Sequence, residues 1–138
     1  MITCTRYPKS DFTLFVSKGG TTIEQWLDMV RLYRSEGLTR LELYDLRLHT
    51  NLFSNGEIDQ ILSLSLSMDS KHPRPPGVKT ALLVKEVVQY GLSRMYEMKA
   101  NVSGVEPEVQ AFYDITEAAD WLGEQVKDVL ADSTTGDN

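Results

Sequence analysis

Acidic and basic side chains recur where the predicted strands of this chain end, and they are the first candidates for chemistry. Asp45, Arg47 and His49 come at the end of one strand pattern, and Lys85 at the end of another. In open α/β sheets, ligands bind beyond the carboxyl ends of the strands. Two interpretations follow: the favoured one is that strand ends are polar only because they face loops, and the second is a rim that binds a polar ligand or a phosphate.

The same rim has a catalytic interpretation, which is the weakest alternative. In a hydrolase-type enzyme, His49 would act as a general base, with Asp45 orienting its ring and Asp114 close by. However, the chain has no Gly-x-Ser-x-Gly nucleophile elbow, no dinucleotide fingerprint and no Gly-Lys-Ser/Thr phosphate loop. We expect no enzyme activity and no cofactor.

Metal and disulfide chemistry is also not expected. Cys4 is the single cysteine, so an internal disulfide is impossible. The two histidines, His49 and His72, have no metal-ligand spacing to each other or to Cys4. We therefore predict no metal site.

Three further positions are candidates for binding. Ser54 and Asn55 open a predicted helix, whose free N–H groups favour an anion or a phosphoserine, unless Ser54 is a plain helix cap. Phe53, after Leu52, is apolar in a predicted surface loop, which is typical of an interface. Arg94 shares one side of a predicted helix with a tyrosine and a glutamate, either as a solvated face or as a partner-binding surface.

Alternating strands and helices position these candidates, in the order β-β-α-β-α-β-α-β-α. The strands are predicted at residues 2–7, 12–17, 40–47, 78–85 and 109–113, and the helices between 22 and 37, at 55–68, at 87–100 and from 116. Three strand–helix–strand crossovers imply a mixed, mostly parallel five-stranded sheet with the first strand antiparallel at one edge. The chain is thus predicted to be a single α/β domain over 1–131, followed by a disordered acidic tail at 132–138.

Residues 61–68 are open to two interpretations. Their Leu/Ser alternation has the period of a strand, whereas Ile58, Ile61 and Leu62 begin a helical stripe. Ser54 followed by Glu57 has the spacing of a capping box. We predict a helix.

Helical spacing also predicts which faces pack inward. The first helix is predicted to bury Ile23, Trp26, Leu27, Val30 and Tyr33. Arg34 is placed on its solvent side. The third helix is predicted to face inward with Val88, Gly91, Leu92 and Met95. Gly91 costs roughly 1 kcal/mol relative to alanine in a helix, so close packing on the sheet is the expected reason for it.

Charge and hydropathy exclude several classes of function. A net charge of −6 argues against nucleic-acid binding and against adsorption to anionic membranes. No apolar run approaches the roughly 20 residues that span a bilayer, and the start MITCTRYPKSD lacks the apolar core of a signal peptide. We expect a cytoplasmic protein without integral membrane association.

Five segments carry a family resemblance: VSKGGTTIEQW, LELYDLR, KTALLV, YGLSRMYE and VQAFYDITEAADWLG. From about Phe12 to Gly123, the chain resembles the bacterial SpoIIAA-like group of the STAS superfamily. The resemblance implies a non-catalytic protein-binding regulator, often in sigma-factor control, or a small-ligand sensor, with a fold related to CRAL-TRIO lipid-transfer domains. The family's phosphorylatable serine, in an Asp-Ser-x-Gly context, is not matched, because Leu46 and Arg47 follow Asp45.

Two non-enzymatic functions therefore stand beside the hydrolase. The first is a regulatory domain that docks a protein partner in bacterial signalling or transcription control, with 53–58 as the contact surface; homodimerisation is a related expectation. The second is a pocket for a small apolar or amphipathic, lipid-like ligand. Its basis is four methionines on predicted helices, Met29, Met68, Met95 and Met98, because methionine packs adaptably around guests; the favoured alternative is that they fill gaps in the core.

Overall fold

The computed structural model describes residues 1–103 and 108–136. The strands are β1 (Ile2–Tyr7), β2 (Phe12–Gly19), β3 (Leu41–His49), β4 (Lys79–Leu83) and β5 (Glu108–Phe112). The helices are α1 (Ile23–Ser35), α2 (Asn55–Lys71), α3 (Val87–Ser103), α4 (Ile115–Leu122) and α5 (Glu124–Gly136). A short 3-10 turn, Pro8–Ser10, joins β1 to β2.

The strands form one sheet in the order β1-β2-β3-β4-β5. β1 is antiparallel to β2, and every other neighbouring pair is parallel. The predicted α/β fold, with a mixed, mostly parallel five-stranded sheet and an antiparallel edge strand, is confirmed. Each crossover steps to the next strand in the same direction, and α1, α2 and α3 consequently share one face of the sheet.

The opposite face is covered by α4 and α5 and is densely packed. Its buried cluster joins strand residues to the two C-terminal helices: Phe12, Leu41, Leu43, Ala81, Leu83, Phe112, Ala118, Ala119, Leu122, Val126 and Leu130. The sheet thus separates a closed apolar core from a second interior, which contains the candidate site.

Two expectations about the helices are settled by backbone geometry. Residues 61–68 are helical within α2, as predicted. The single C-terminal helix predicted from 116 is wrong, because Gly123 adopts φ +127° and divides it into α4 and α5. Asp114, rather than Thr116, is the N-cap of α4; its Oδ1 accepts a hydrogen bond from the Thr116 N–H at 2.8 Å.

The predicted tail and the last predicted loop fall partly outside the described residues. The backbone of α5 continues to Gly136, and 137–138 lie beyond the described part of the chain. α3 ends at Ser103, and 104–107, the centre of the loop predicted between α3 and β5, are likewise not described.

The inward face of α3 agrees only in part with the predicted one: Leu92 and Met95 pack against a buried cluster, whereas Val88 and Gly91 do not face inward. Val88 is 58% exposed and Gly91 is exposed, with open space around a β-carbon built on it. Close packing therefore does not explain Gly91. Polar side chains face inward instead, because they find hydrogen bonds there: Gln89 donates to two carbonyls of β3, and Glu97 accepts the Ala111 N–H.

α1 follows the prediction except at its end. The capping box of Thr22 and Gln25 is present, Ile23, Trp26, Val30 and Tyr33 are buried, and Leu27 is half-buried. Arg34, predicted to be solvated, is 3% exposed and points into the protein. Its burial is the first sign of a charged interior between the sheet and α1–α3.

Candidate functional site

A cavity of about 110 Å³ lies between the sheet and the three helices α1, α2 and α3. Since a water molecule takes up roughly 30 Å³ in the liquid, this is room for about four water molecules. Its aromatic lining comes from Trp26, Tyr33, Tyr44, Phe53 and Tyr96. Its aliphatic lining comes from Val30, Leu46, Leu52, Ile58, Ile61, Leu82, Leu92 and Val109.

The cavity runs along the strands, from their carboxyl ends toward their amino ends. Its outer end lies at the carboxyl edge, where Leu52 is a lining residue and is 46% exposed. α1 returns antiparallel to the strands, so Trp26 stacks on the middle of β3 at Tyr44, with ring centroids 5.3 Å apart. Arg34, in the last turn of α1, lies at the opposite, inner end.

Stacked rings form the apolar wall of the cavity. Tyr44 is sandwiched between Trp26 and Phe15, whose ring centroid is 4.2 Å away. Phe53 meets Trp26 edge-on at 5.4 Å and His49 at 5.1 Å. Aromatic pairs of this kind hold flat surfaces in fixed orientations, which suits a planar or narrow apolar guest.

An irregularity in β3 brings His49 into this wall. Val16 pairs with Asp45 but Lys18 pairs with Leu48, so β3 contains one extra residue between these pairs. A bulge shifts the alternation of the strand by one position. Leu46 and His49 consequently line the cavity together, which strict alternation does not predict.

Both ring nitrogens of His49 have partners. Nε2 faces the Asn51 carbonyl, which can only accept, so Nε2 carries a proton. Nδ1 lies 2.8 Å from the Ser17 hydroxyl. Burial lowers the pKa of His49, although the hydrogen bond to Asn51 opposes this change. The neutral ring, with Nδ1 accepting from Ser17, is therefore favoured.

A buried carboxylate lies near the inner end. Both oxygens of Glu42 accept hydroxyl hydrogen bonds of 2.6 Å, one from Tyr33 and one from Thr80. Burial and the neighbouring Glu42 charge raise the pKa of Tyr33, which keeps its hydroxyl protonated as the donor. The Glu42 carboxylate is thus held by neutral donors as well as by a nearby cation.

Two buried guanidinium groups complete the inner end. Arg34 Nη2 donates to Asp69 Oδ1 at 2.7 Å and to the His72 carbonyl at 3.1 Å. Arg74 Nε donates to the same Asp69 oxygen at 3.0 Å, and Nη1 lies 3.9 Å from Glu42 Oε1. Burial opposes the charge of Arg74, but Glu42 and Asp69 outweigh burial and raise its pKa. The cluster holds two positive and two negative charges.

The structure brings only some of the predicted site residues together. His49 and Phe53 meet at the cavity. Asp45 instead holds Arg47 in a two-point ion pair, with distances of 3.0 Å and 2.9 Å. Lys85 is exposed, and its backbone N–H donates to the side chain of Gln89.

The remaining candidates lie outside the cavity lining. Ser54 forms the predicted capping box with Glu57. Asn55 Oδ1 accepts a hydrogen bond from Lys99. Arg94 is on the exposed side of α3, 3.6 Å from Glu97.

The proposed catalytic trio is divided among separate partners. The carboxylate of Asp45 is engaged by Arg47, both nitrogens of His49 by Ser17 and Asn51, and Asp114 by the start of α4. The trio shows no hydrogen bond between its side chains within the described residues. In that same part of the chain, no group of three or more His, Cys, Asp or Glu side chains is arranged to hold a metal ion.

The basis for a ligand pocket differs from the predicted one. None of the four methionines named above belongs to the cavity lining; Met98 is 65% exposed on the outer side of α3. The charged lining residues Arg34, Glu42 and Arg74 were missed, because charged side chains are rarely fully buried. Strand alternation does place Glu42 on the same face of the sheet as Tyr44. This two-residue spacing was the available indication that Glu42 faces the cavity.

Outside comparisons add no constraint on this site. Across the described residues, no helix combines the length and apolar character needed to cross a bilayer. The chain matches no protein-family model, no curated protein and no solved structure.

Proposed function

We propose that this chain is a non-enzymatic binding domain for a small amphipathic ligand, which occupies the cavity between the sheet and α1–α3. The observation that carries the proposal is the cavity itself, which is lined by stacked aromatic rings and has charged groups at its inner end. Binding sites for small molecules are mostly apolar, with a few placed polar groups that fix orientation. The resemblance to STAS domains, some of which sense small ligands, supports the same class of role.

The volume sets the size of the guest. A cavity of about 110 Å³ is smaller than the engineered cavity of about 150 Å³ that binds benzene, so it suits a small ligand whose far end reaches the opening at Leu52. A full-length acyl chain does not fit inside the cavity. The lipid-like ligand expected from the sequence must therefore be a short one. Leu52 and Phe53 at the outer end then act as the apolar entrance rather than as a protein interface.

The two tryptophans provide an internal test. Trp26 lines the cavity, whereas Trp121 packs on the opposite face of the sheet against Phe112, with ring centroids 5.6 Å apart. In an NMR titration with p-cresol or phenylacetate, we expect the indole N–H peak of Trp26 to move and that of Trp121 to stay. If neither probe moves the Trp26 peak, or if both indole peaks move together, the cavity is not the site.

Docking of a protein partner is the second candidate, and one observation favours it. A shallow groove between α2 and α3 exposes Leu66, Met98 and Val102 beside the ion pair of Asp59 and Lys99. A rim with one charge of each sign is self-complementary across a two-fold axis, so the partner that fits is a second copy of this chain. Light scattering should then give a dimer that Met98→Glu dissociates; a monomeric wild type removes this candidate.

A further inference from the structure

The inner end of the cavity presents hydrogen-bond donors that have no acceptor. Arg34 Nε, Arg34 Nη1 and Arg74 Nη1 are buried, and no described residue accepts a hydrogen bond from them. Both side chains line the cavity and are at least nine-tenths buried, at 1% and 9% exposure. A buried donor without an acceptor is costly, and more so when it is charged. An acceptor that enters through the cavity can satisfy these donors.

We propose that Arg34 and Arg74 bind the carboxylate of the ligand, so that the guest is a small monocarboxylic acid with an aromatic or short aliphatic body. This inference rests on the proposed function of the cavity. Guanidinium groups are planar forks that match the two oxygens of a carboxylate. Asp69 Oδ1 accepts from one nitrogen of each group, Arg34 Nη2 and Arg74 Nε, so the two oxygens of the ligand can bridge the remaining nitrogens of the two arginines.

The charges of the cluster favour a carboxylate over a phosphate. Arg34 and Arg74 are already balanced by Glu42 and Asp69. A ligand with one negative charge adds a single excess charge, which three free donors can stabilise. A phosphate dianion adds two beside the buried Glu42 carboxylate, where repulsion is poorly screened.

The shape of the cavity places the rest of the acid. From the guanidinium groups, the lining continues past Tyr33 and Tyr44 to Trp26 and Phe53. After the carboxylate is seated, the apolar lining suits a short body that extends toward the outer opening at Leu52. The ligand thus lies along the strands, with its charge at the inner end and its apolar end toward Leu52.

Matched acids and amides test the inference on the wild-type protein. Phenylacetate is compared with phenylacetamide, and hexanoate with hexanamide, by calorimetry and by the Trp26 indole peak. We expect each acid to bind at least tenfold more tightly than its neutral partner. Equal affinities would overturn the carboxylate assignment and leave the cavity as a binding site. No binding by any of the four would overturn both the assignment and the proposed function.

Substitutions locate the effect at the two arginines. Arg34→Met and Arg74→Met should weaken binding of the acids at least tenfold and leave binding of the amides unchanged. Arg31→Met is the matched control, because Arg31 lies three residues earlier on α1 with a 55% exposed side chain. Arg34→Lys keeps the positive charge but lacks the planar guanidinium group. It replaces the methionine variants in this test if they do not fold. An acid preference that survives in a folded Arg34 variant contradicts the assignment.

Discussion

At the scale of single residues, His49 is the group whose protonation is most closely tied to the fold. Its neutral ring donates from Nε2 to Asn51 and accepts at Nδ1 from Ser17. Protonation turns Nδ1 into a donor, which fixes the Ser17 hydroxyl in its hydrogen bond to Thr21 Oγ1, 2.9 Å away. Both arrangements satisfy the hydrogen bonds, but only one places a charge in an apolar wall.

The lowered pKa of His49 predicts a loss of stability in acid. In the unfolded chain, the ring binds a proton near its ordinary pKa of about 6.5; in the fold, burial lowers that pKa. The unfolded state therefore binds more protons, and stability falls as pH drops through the ordinary value. Urea unfolding at pH 7.5 and pH 5.5 should show a larger loss for the wild type than for His49→Gln.

The other histidine provides the control for this prediction. His72 is exposed at the end of α2. His72→Gln should therefore keep the pH dependence of the wild type. If His49→Gln and the wild type lose equal stability between the two pH values, burial of His49 does not govern the acid response.

At the scale of elements, Ser54 at the start of α2 can be tested as a structural helix cap, in contrast to a regulatory site. Ser54 Oγ accepts the Glu57 N–H at 3.2 Å, and Glu57 Oε1 accepts the Ser54 N–H at 2.8 Å. Loss of such a cap costs about 0.5–2 kcal/mol. Ser54→Ala should therefore lower the free energy of unfolding by about 1 kcal/mol, measured in urea. Ser67→Ala, at an exposed position of the same helix, is the control, and an equal effect of the two changes would rule out the cap.

The exposed glycine of α3 predicts a change of the opposite sign. A β-carbon at Gly91 meets no atom within 4 Å, so alanine fits without strain. Alanine should raise the free energy of unfolding by about 1 kcal/mol, because glycine loses more backbone entropy in a helix. Gly123→Ala is the counterpart: at φ +127° its β-carbon lies 2.9 Å from Gln125 Oε1, and we expect destabilisation. A Gly91→Ala variant no more stable than the wild type in thermal unfolding contradicts the argument.

The predictability of the elements follows from how local their causes are. The capping box of α1, begun by Thr22, and that of α2, begun by Ser54, are sequence patterns within one turn, and both are present. The inward face of α3 depends on Gln89 reaching carbonyls 43 and 40 residues earlier in the chain, at Leu46 and His49. The spacing of apolar residues within α3 does not predict those partners. The bulge in β3 is likewise visible only in its pairing with β2.

At the scale of the whole molecule, the two faces of the sheet have different interiors. α4 and α5 close an apolar core over one face. On the other, α1, α2 and α3 enclose a cavity whose inner end is charged. The charged residues Arg34, Glu42 and Arg74 come from α1, β3 and the loop after α2. Each has an ordinary solvent-exposed interpretation in its own segment, and for this reason the sequence alone did not assemble the site.

Adjacent leucines of β4 test this asymmetry directly. Leu83 points into the closed core and is fully buried, whereas Leu82 lines the cavity and is 8% exposed. Truncation of a buried leucine costs about 2–5 kcal/mol, and the cost rises with the contacts and packing that are lost. Leu83→Ala should fall in that range. Leu82→Ala should cost less, because part of its surroundings is already open.

The same pair also separates stability from binding. Leu82→Ala enlarges the cavity, so acids with a longer body should bind more tightly to this variant than to the wild type, whereas a Leu83→Ala variant that remains folded should keep the wild-type preference. Urea unfolding gives the two stabilities, and calorimetry with hexanoate and octanoate gives the two preferences. Equal costs for the two leucines, or a length preference that changes with Leu83, would mean that the two interiors are not distinct. Because the residues are neighbours on one strand with side chains of the same size, any difference between them must arise from the face that each one occupies.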